Sequence, residues 1–273
     1  MSFVTRFAPS PTGYLHLGHA HAAWAVEAMA QAVGAQMLLR IEDIDPTRCR
    51  PEYEAAILED LAWLGLSYQG PILRQSERLD HYAKAIKRLK SLDLLYPCTC
   101  TRKEVLAASP GPSPDGPLYG GTCKGGHADP DRPAAWRLDM ARAIQRAGPL
   151  DLDPSPWGDL ILVRRETPTS YHLSVVLDDA AQGVTHIMRG KDLQGITAVH
   201  QLLQRLLGLS TPIYAYHDLV RHEDGRKFSK SERAPAIRDL RAEGKTPEDL
   251  KLALNGIPNL RGQIDAIKAG DFL

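Results

Sequence analysis

Long apolar runs are missing from this chain, and so is any surplus of charge. No stretch reaches the roughly 20 apolar residues that a membrane-crossing helix needs. The most apolar early segment, Ala20 to Val33, is broken by His21, Glu27 and Gln31. No basic segment leads into an apolar one at the start, so nothing reads as a secretory signal and a cytoplasmic location is expected. Lysine plus arginine balances aspartate plus glutamate at 33 each. A zero net charge excludes a uniformly basic protein, and any nucleic-acid surface has to be local. One local candidate is Lys84 to Lys103, with six basic residues against the single Asp93; a solvated helix face is the plainer reading. Cysteine is scarce as well, at four in 273 residues. In a chain of this size without a secretory signal, that excludes a disulfide framework. Three of the four, Cys98, Cys100 and Cys123, nevertheless cluster in sequence, which points to a metal; Cys49 reads as a plain small residue.

What remains is ordinary globular material, 43% apolar and 24% charged, enough for one large domain or two small ones. Ser2 to Ala8 alternates and predicts a strand; His19 to Val33 predicts a helix ending near Gly34. A second strand is expected in "QMLLRIEDID", followed by a helix with Pro51 in its first turn and Gly65 past its end. Ser76 is a candidate cap for a helix running to about Leu92. Strand, helix, strand, helix is the order of a parallel sheet covered by helices. Ser109 to Pro133 then holds six prolines and six glycines, which argues against regular structure. Strand-like runs follow in "GDLILVRRE", "YHLSVVLDD" and "VTHIMRG", then a helix, "TAVHQLLQRLLG", and a strand, "PIYAYHD". The alternation thus resumes after an interruption, as if a small module were inserted into one sheet. Beyond Ser231 the chain reads as short, charged helices.

Two stretches carry chemistry. In "FAPSPTGYLHLGHAH", Pro9, Pro11 and Gly13 stiffen a turn, and His16-Leu-Gly-His19 opens the first helix. A helix start offers free backbone N–H groups and a positive dipole end to phosphate. Gly18 permits close approach, and two imidazoles can donate to phosphate oxygens. Far downstream, "GRKFSKS" sets two lysines three apart beside serines, as in a phosphate clamp. Each alone has a bland reading, a capped helix start or an exposed loop. For a zinc ion, three cysteines leave one of four positions open; His127 is the choice by general ligand chemistry, with Tyr119 the other neighbour.

Together, "APSPTGYLHLGHA" and "KFSKS" resemble the two signature motifs of class I aminoacyl-tRNA synthetases, and "RFAPSPTG" narrows the resemblance to the glutamyl and glutaminyl branch. The likeness continues through "RIEDIDPTR", "TSYHLSVVLDDA" and "HIMRGKDL". It implies an α/β fold: a Rossmann-type parallel sheet with helices on both faces, an inserted small zinc-containing module and a short C-terminal helical region. The boundaries expected are 1–96 and 159–231 for the two halves of the catalytic domain, 97–158 for the inserted module and 232–273 for the helical region. The resemblance implies ATP-dependent activation of L-glutamate to an adenylate, with Mg2+ accompanying ATP. Its ATP contacts fall on Pro9, His16, Gly18, His19, Lys227, Phe228, Ser229, Lys230 and Ser231, with His16, His19, Lys227 and Lys230 catalytic. Phe228 stands where many synthetases carry methionine. Its glutamate contacts fall on Arg6, Ala8, Ser10, Glu42, Tyr171 and Arg189. Two guanidinium groups at strand ends suit a carboxylate side chain, and Arg189 favours glutamate over glutamine because a neutral amide would leave it unpaired.

Only 42 residues follow Ser231, too few for an anticodon-reading domain. That resembles the short paralogues of glutamyl-tRNA synthetase, which activate glutamate without tRNA and attach it to queuosine at the wobble position of tRNA(Asp). Those paralogues imply a single structural zinc on Cys98, Cys100, Tyr119 and Cys123, and a monomer. Ser109 to Pro117 is longer and richer in proline than such a module requires. The alternatives are a minimal glutamyl-tRNA synthetase charging a tRNA 3′ end, and a non-catalytic paralogue that binds glutamate or a nucleotide.

Overall fold

The computed structural model describes residues 2–220, 235–257 and 260–270. Their elements, in chain order, are β1 (Val4–Phe7), α1 (Leu17–Val33), β2 (Gln36–Ile41), α2 (Pro51–Trp63), β3 (Leu73–Arg74), α3 (Leu79–Ser91), β4 (Leu95–Cys98), α4 (Arg102–Ala107), β5 (Pro112–Ser113) and β6 (Gly116–Pro117). There follow β7 (Ala135–Leu138), α5 (Met140–Ala147), β8 (Ile161–Val163), α6 (Tyr171–Ala181), β9 (His186–Gly190), α7 (Thr197–Leu207), β10 (Ile213–His217), α8 (Ile237–Ala242), α9 (Pro247–Asn255) and α10 (Gln263–Lys268). Packing divides the chain into two units. The first comprises Met1–Ser76, Gly183–Gln194 and Pro212–Leu273, and the second Glu77–Gln182 and Gly195–Thr211.

The first unit is the parallel α/β body that the alternating order predicts. β1 pairs with β2 and β2 with β3, all parallel, and β9 pairs with β10 in the same sense. Thr185, just before β9, donates its N–H to the Val4 carbonyl at 2.9 Å and accepts from the Val4 N–H through its hydroxyl at 2.9 Å, so β9 starts against β1. α1 is rich in alanine, which lets its backbone lie close to the strands. Trp24 and Met29 from α1 join Leu39 and Ile41 from β2, Ile57 and Leu61 from α2, and Met188 from β9 in one core. Gly34 ends α1 in the left-handed region at φ 67°, where a side chain is disfavoured. α8, α9 and α10 add Ile237, Leu250, Leu254 and Ile267 to that core.

The second unit carries a separate antiparallel sheet in the order β4-β7-β8, with β5 and β6 as a minimal hairpin. Three expectations change here. "GDLILVRRE" yields only the three residues of β8, which pair antiparallel with β7 and so do not extend the parallel sheet. "YHLSVVLDD" is the helix α6, not a strand. Leu173, Val176, Leu177 and Ala180 recur at the helical spacing, with Tyr171, Ser174 and Asp178 on another face; the adjacent valines, read as a β-branched run, obscure that period. Asp178 is stabilised inside by the Arg78 guanidinium at 2.7 Å and the Tyr82 hydroxyl at 2.8 Å. Finally, Ser76 does not cap α3. It donates its N–H and hydroxyl to the Asp43 carboxylate at 2.9 and 2.6 Å, and α3 starts three residues later.

Candidate active site and metal centre

In the first unit, the turn after β1 is pinned to the segment after β2 by its backbone. Glu42 N–H donates to the Pro9 carbonyl at 3.0 Å, and Arg50 N–H to the Pro11 carbonyl at 3.0 Å. Prolines lack a donor but keep this acceptor, so a proline-rich turn can still be cross-linked from outside. α1 then begins with an unusual cap in which two histidines exchange bonds with each other's backbone. His16 Nδ1 accepts from the Gly18 N–H at 3.1 Å, and His19 Nδ1 accepts from the His16 N–H at 3.1 Å. It is a capping box built from imidazoles. Their rings lie 3.9 Å apart between centroids. With Nδ1 accepting, each ring carries its proton on Nε2, a donor for an anion. Gly18 leaves room for the cap: a Cβ there would lie 3.0 Å from His16 Cε1, a tight contact that the imidazole would have to yield to.

The chain also returns to this loop from downstream. His16 and Ala236 form an isolated bridge, and Ile237 N–H donates to the Leu15 carbonyl at 2.8 Å. Ala236 closely follows residues 221–234. Lys227, Phe228, Ser229, Lys230 and Ser231 lie in that segment, outside the described residues.

Of the residues expected to hold glutamate, Arg6 on β1 and Arg189 on β9 each sit toward the carboxyl end of a strand of the first unit, both 5% exposed. Ala8 is half-buried and Ser10 exposed in the turn after β1. Glu42, just past β2, is buried and held at 3.2 Å by Arg40. Tyr171 belongs to the second unit, where it opens α6 rather than preceding a strand.

Three residues of this region escaped the sequence reading. Arg40 is fully buried and supplies the counter-charge for Glu42; the two-residue spacing that puts both on one strand face was the available signal. Tyr214 and Tyr216 on β10 bring their rings to 4.8 and 5.9 Å of the Arg189 guanidinium carbon. They lie across β9 in register, with Tyr216 opposite Arg189.

In the second unit, Cys98, Cys100 and Cys123 place their three sulfurs within 4.8 Å of one another. The Tyr119 hydroxyl lies 3.4 Å from Cys98 Sγ and 3.7 Å from Cys100 Sγ, and Cys100 Sγ is 3.4 Å from Cys123 Sγ. A zinc tetrahedron with Zn–S bonds of about 2.3 Å has edges of about 3.8 Å, so the spacing and the donor set fit that ion. His127 is exposed and not among the clustered residues. Burial pushes the Cys100 thiol up to about 11, helped by its contact with Cys123. Burial works the same way on Cys123, but hydrogen bonds from Tyr119, Thr99 and Cys100 outweigh it and bring that thiol to about 6.

The cluster is supported by side chains rather than by regular structure. Arg137 lies on the Tyr119 ring at 3.7 Å and donates to the Asp159 carbonyl at 2.7 Å. Lys124, next to Cys123, bridges Asp139 at 2.8 Å and Asp159 at 3.0 Å, while the Tyr96 hydroxyl donates to Asp159 at 2.6 Å.

The family model of class I tRNA synthetases (E and Q), catalytic domain, matches residues 2–109 and 141–262. The chain belongs to that family. It is therefore a ligase of the aminoacyl-tRNA synthetase kind. The match leaves out 110–140, the stretch that carries Tyr119, Cys123 and Lys124. A glutamyl-Q tRNA(Asp) synthetase of Rhodobacter capsulatus is 46% identical over 272 residues, covering 91% of this chain and 98% of the relative. One from Deinococcus radiodurans is 40% identical, covering 90% and 86%. Among solved structures, a glutamate tRNA ligase from Elizabethkingia meningosepticum, in complex with its amino acid, aligns with a TM-score of 0.69 at 26% identity. That alignment covers 90% of this chain and 54% of the ligase, so this chain spans about half its length. The glutamate-tRNA synthetase of Elizabethkingia anophelis shares the fold, with a TM-score of 0.76 at 24% identity, covering all of this chain and 66% of that one. Among the described residues, no helix is long and apolar enough to cross a membrane.

Proposed function

We propose that the chain activates L-glutamate with ATP, without tRNA, and transfers the glutamyl group to queuosine at the wobble position of tRNA(Asp). The observation that carries this reading is the 46% identity to a glutamyl-Q tRNA(Asp) synthetase over 91% of the chain, against 26% to a glutamate tRNA ligase. In this reading Arg6 and Arg189 grip the side-chain carboxylate through charge-assisted hydrogen bonds, which a buried site makes strong. Glu42, paired with Arg40, takes the α-ammonium group, with Ser10 and the Ala8 backbone beside it; Tyr171 is the remaining residue assigned to glutamate. Pro9, Gly18 and the start of α1 lie along ATP. The Nε2–H groups of His16 and His19 donate to phosphate oxygens as charge grows there, and Lys227, Phe228, Ser229, Lys230 and Ser231 are the further residues assigned to ATP, which binds with Mg2+.

The substrate α-carboxylate attacks the α-phosphorus, the bond to the bridging oxygen breaks, and pyrophosphate leaves. A hydroxyl of the acceptor nucleoside then attacks the adenylate carbonyl, loses its proton, and AMP departs. No residue of the chain is acylated; the work is positioning and charge stabilisation. Cys98, Cys100, Tyr119 and Cys123 would hold one zinc ion, whose contribution is to cross-link the loop around 119–123 to the end of β4.

Glutamate-dependent pyrophosphate exchange in the absence of RNA, followed by nuclease mapping of labelled glutamate on tRNA(Asp), tests this. Label on queuosine is expected. Label at the 3′ end of tRNA(Glu) would make the protein a minimal glutamyl-tRNA synthetase, and tight glutamate binding with no exchange would make it a non-catalytic paralogue.

A further inference from the structure

A cavity of about 530 Å³ lies wholly within the second unit, bordered by the cysteine cluster on one side and by Tyr171, assigned above to glutamate, at the start of α6. Its wall includes Arg102 at the start of α4, Arg164 and Arg165 just after β8, and Trp157. All three arginines are exposed, and Arg165 donates to the Cys100 carbonyl at 2.8 Å. Among the described residues, none of the three is ion-paired with a carboxylate. The carboxylates on the wall are Asp115 and Glu166, both exposed, and Asp159, which Lys124 already neutralises. Two further wall residues bear buried polar atoms without a hydrogen-bond partner, Ser170 Oγ and Arg137 Nε. Such orphans are uncommon in folded proteins and call for a physical reason. Here both fall in the lining of one hollow.

Unpaired guanidinium groups beside an aromatic ring, in a hollow of nucleotide size, are the combination that binds single-stranded RNA: cations on phosphate, a ring under a base. We propose that this cavity is an RNA-binding subsite for a nucleotide of the loop that carries the acceptor base. Arg102 and Arg164 take its phosphates, Trp157 stacks on its base, and Ser170 supplies a hydrogen bond. The assignment rests on the ligase reading above. It also divides the basic run noted in the sequence. Arg88 donates to the Leu207 carbonyl at 2.9 Å and Lys90 covers the Trp136 ring at 3.1 Å, whereas Arg102 faces the cavity.

The test uses the full chain and a synthetic, unmodified stem-loop RNA with the tRNA(Asp) anticodon sequence, titrated by fluorescence anisotropy at several salt concentrations. The variant Arg102→Ala with Arg164→Ala is expected to bind about tenfold more weakly. Its log–log salt slope should be shallower by about 1.4, two phosphate contacts at about 0.7 each. Arg146→Ala removes an exposed arginine outside the cavity and is expected to change neither. Ser170→Ala, which deletes a hydroxyl that makes no bond within the fold, is expected to weaken binding about threefold. It decides the matter should the double variant lose its circular-dichroism signature. Glutamate-dependent pyrophosphate exchange, measured alongside, should match wild type in every variant. Wild-type affinity and slope in the double variant, or an equal loss in Arg146→Ala, overturn the subsite while leaving the ligase reading intact. Absence of exchange in the wild-type protein overturns the ligase reading instead.

Discussion

The residues proposed to hold glutamate in the first unit and the cysteine cluster of the second are assembled by opposite means. Arg6, Glu42 and Arg189 ride on or directly after parallel strands, so the backbone fixes their spacing, and burial strengthens the ionic interactions they make. Tyr119 and Cys123 sit in a glycine- and proline-rich loop, which side-chain bonds through Lys124, Arg137 and Asp159 tie to its surroundings. One site is placed by parallel strands; the other is tied largely through its side chains. Substitution should therefore damage chemistry in the first unit and local order in the second.

The largest effect is expected at Arg189. Arg189→Leu should lower kcat/KM for glutamate in pyrophosphate exchange about a thousandfold, equivalent to about 4 kcal/mol, as for a buried charge pair losing one partner. A loss below tenfold would break the contrast at its stronger end. Next comes Arg40→Met, which removes the ion pair to the buried Glu42 carboxylate. Urea unfolding should show a loss of about 3 kcal/mol, and adding Glu42→Gln should recover part of it. In the second unit, Cys98→Ser with Cys100→Ser should take zinc from about one ion per chain to none by elemental analysis. Exchange should stay within about tenfold of wild type while proteolysis of the 109–133 loop accelerates. A zinc-free wild type that resists protease equally well would remove the distinction.

The smallest effect is a pH dependence inside the first unit. Asp60 on α2 is buried with no partner for either carboxylate oxygen, and burial raises it to about 6. Its contribution to stability is therefore full below about 4 and is lost as pH rises to about 6. His21 on α1 is lowered to about 4, by burial first and by the neighbouring His217 second. Its neutral form is favoured by folding, so stability is lost as pH falls from about 6.5 to about 4. The two slopes oppose each other across one window and should nearly cancel in the wild type. Asp60→Asn should unmask a rise in stability from pH 4 to 6.5, and at pH 8 it should exceed wild type by about 1 kcal/mol. A flat profile in that variant would show that the two groups do not titrate in the folded state as their surroundings dictate.

Much of this was legible in the sequence, for reasons that differ by region. β1, α1 and β2 follow from strand alternation, an alanine-rich helix and the glycine that ends it, which are local signals. The cysteine cluster was legible because thiols are rare enough in this chain to stand out. Arg40 was not, because an arginine in a strand reads as exposed until its Glu42 partner and the covering layers are seen. α6 was legible too, since Leu173, Val176, Leu177 and Ala180 keep the helical spacing, but the paired valines with a β-branched preference drew the reading to a strand. The antiparallel pairing of β4, β7 and β8 joins segments about 25 to 40 residues apart through a glycine- and proline-rich loop, and nothing local encodes it.

The imidazole cap at the start of α1 has a bearing on how this protein is dissected. Because His16 and His19 hold the first turn together through Nδ1, replacing either with alanine removes a structural tie along with any donor for phosphate. Lost activity in such a variant has two indistinguishable sources. Asparagine at position 16 offers an acceptor suited to an N-cap but no imidazole N–H, and comparing it with alanine separates the scaffold from the reaction.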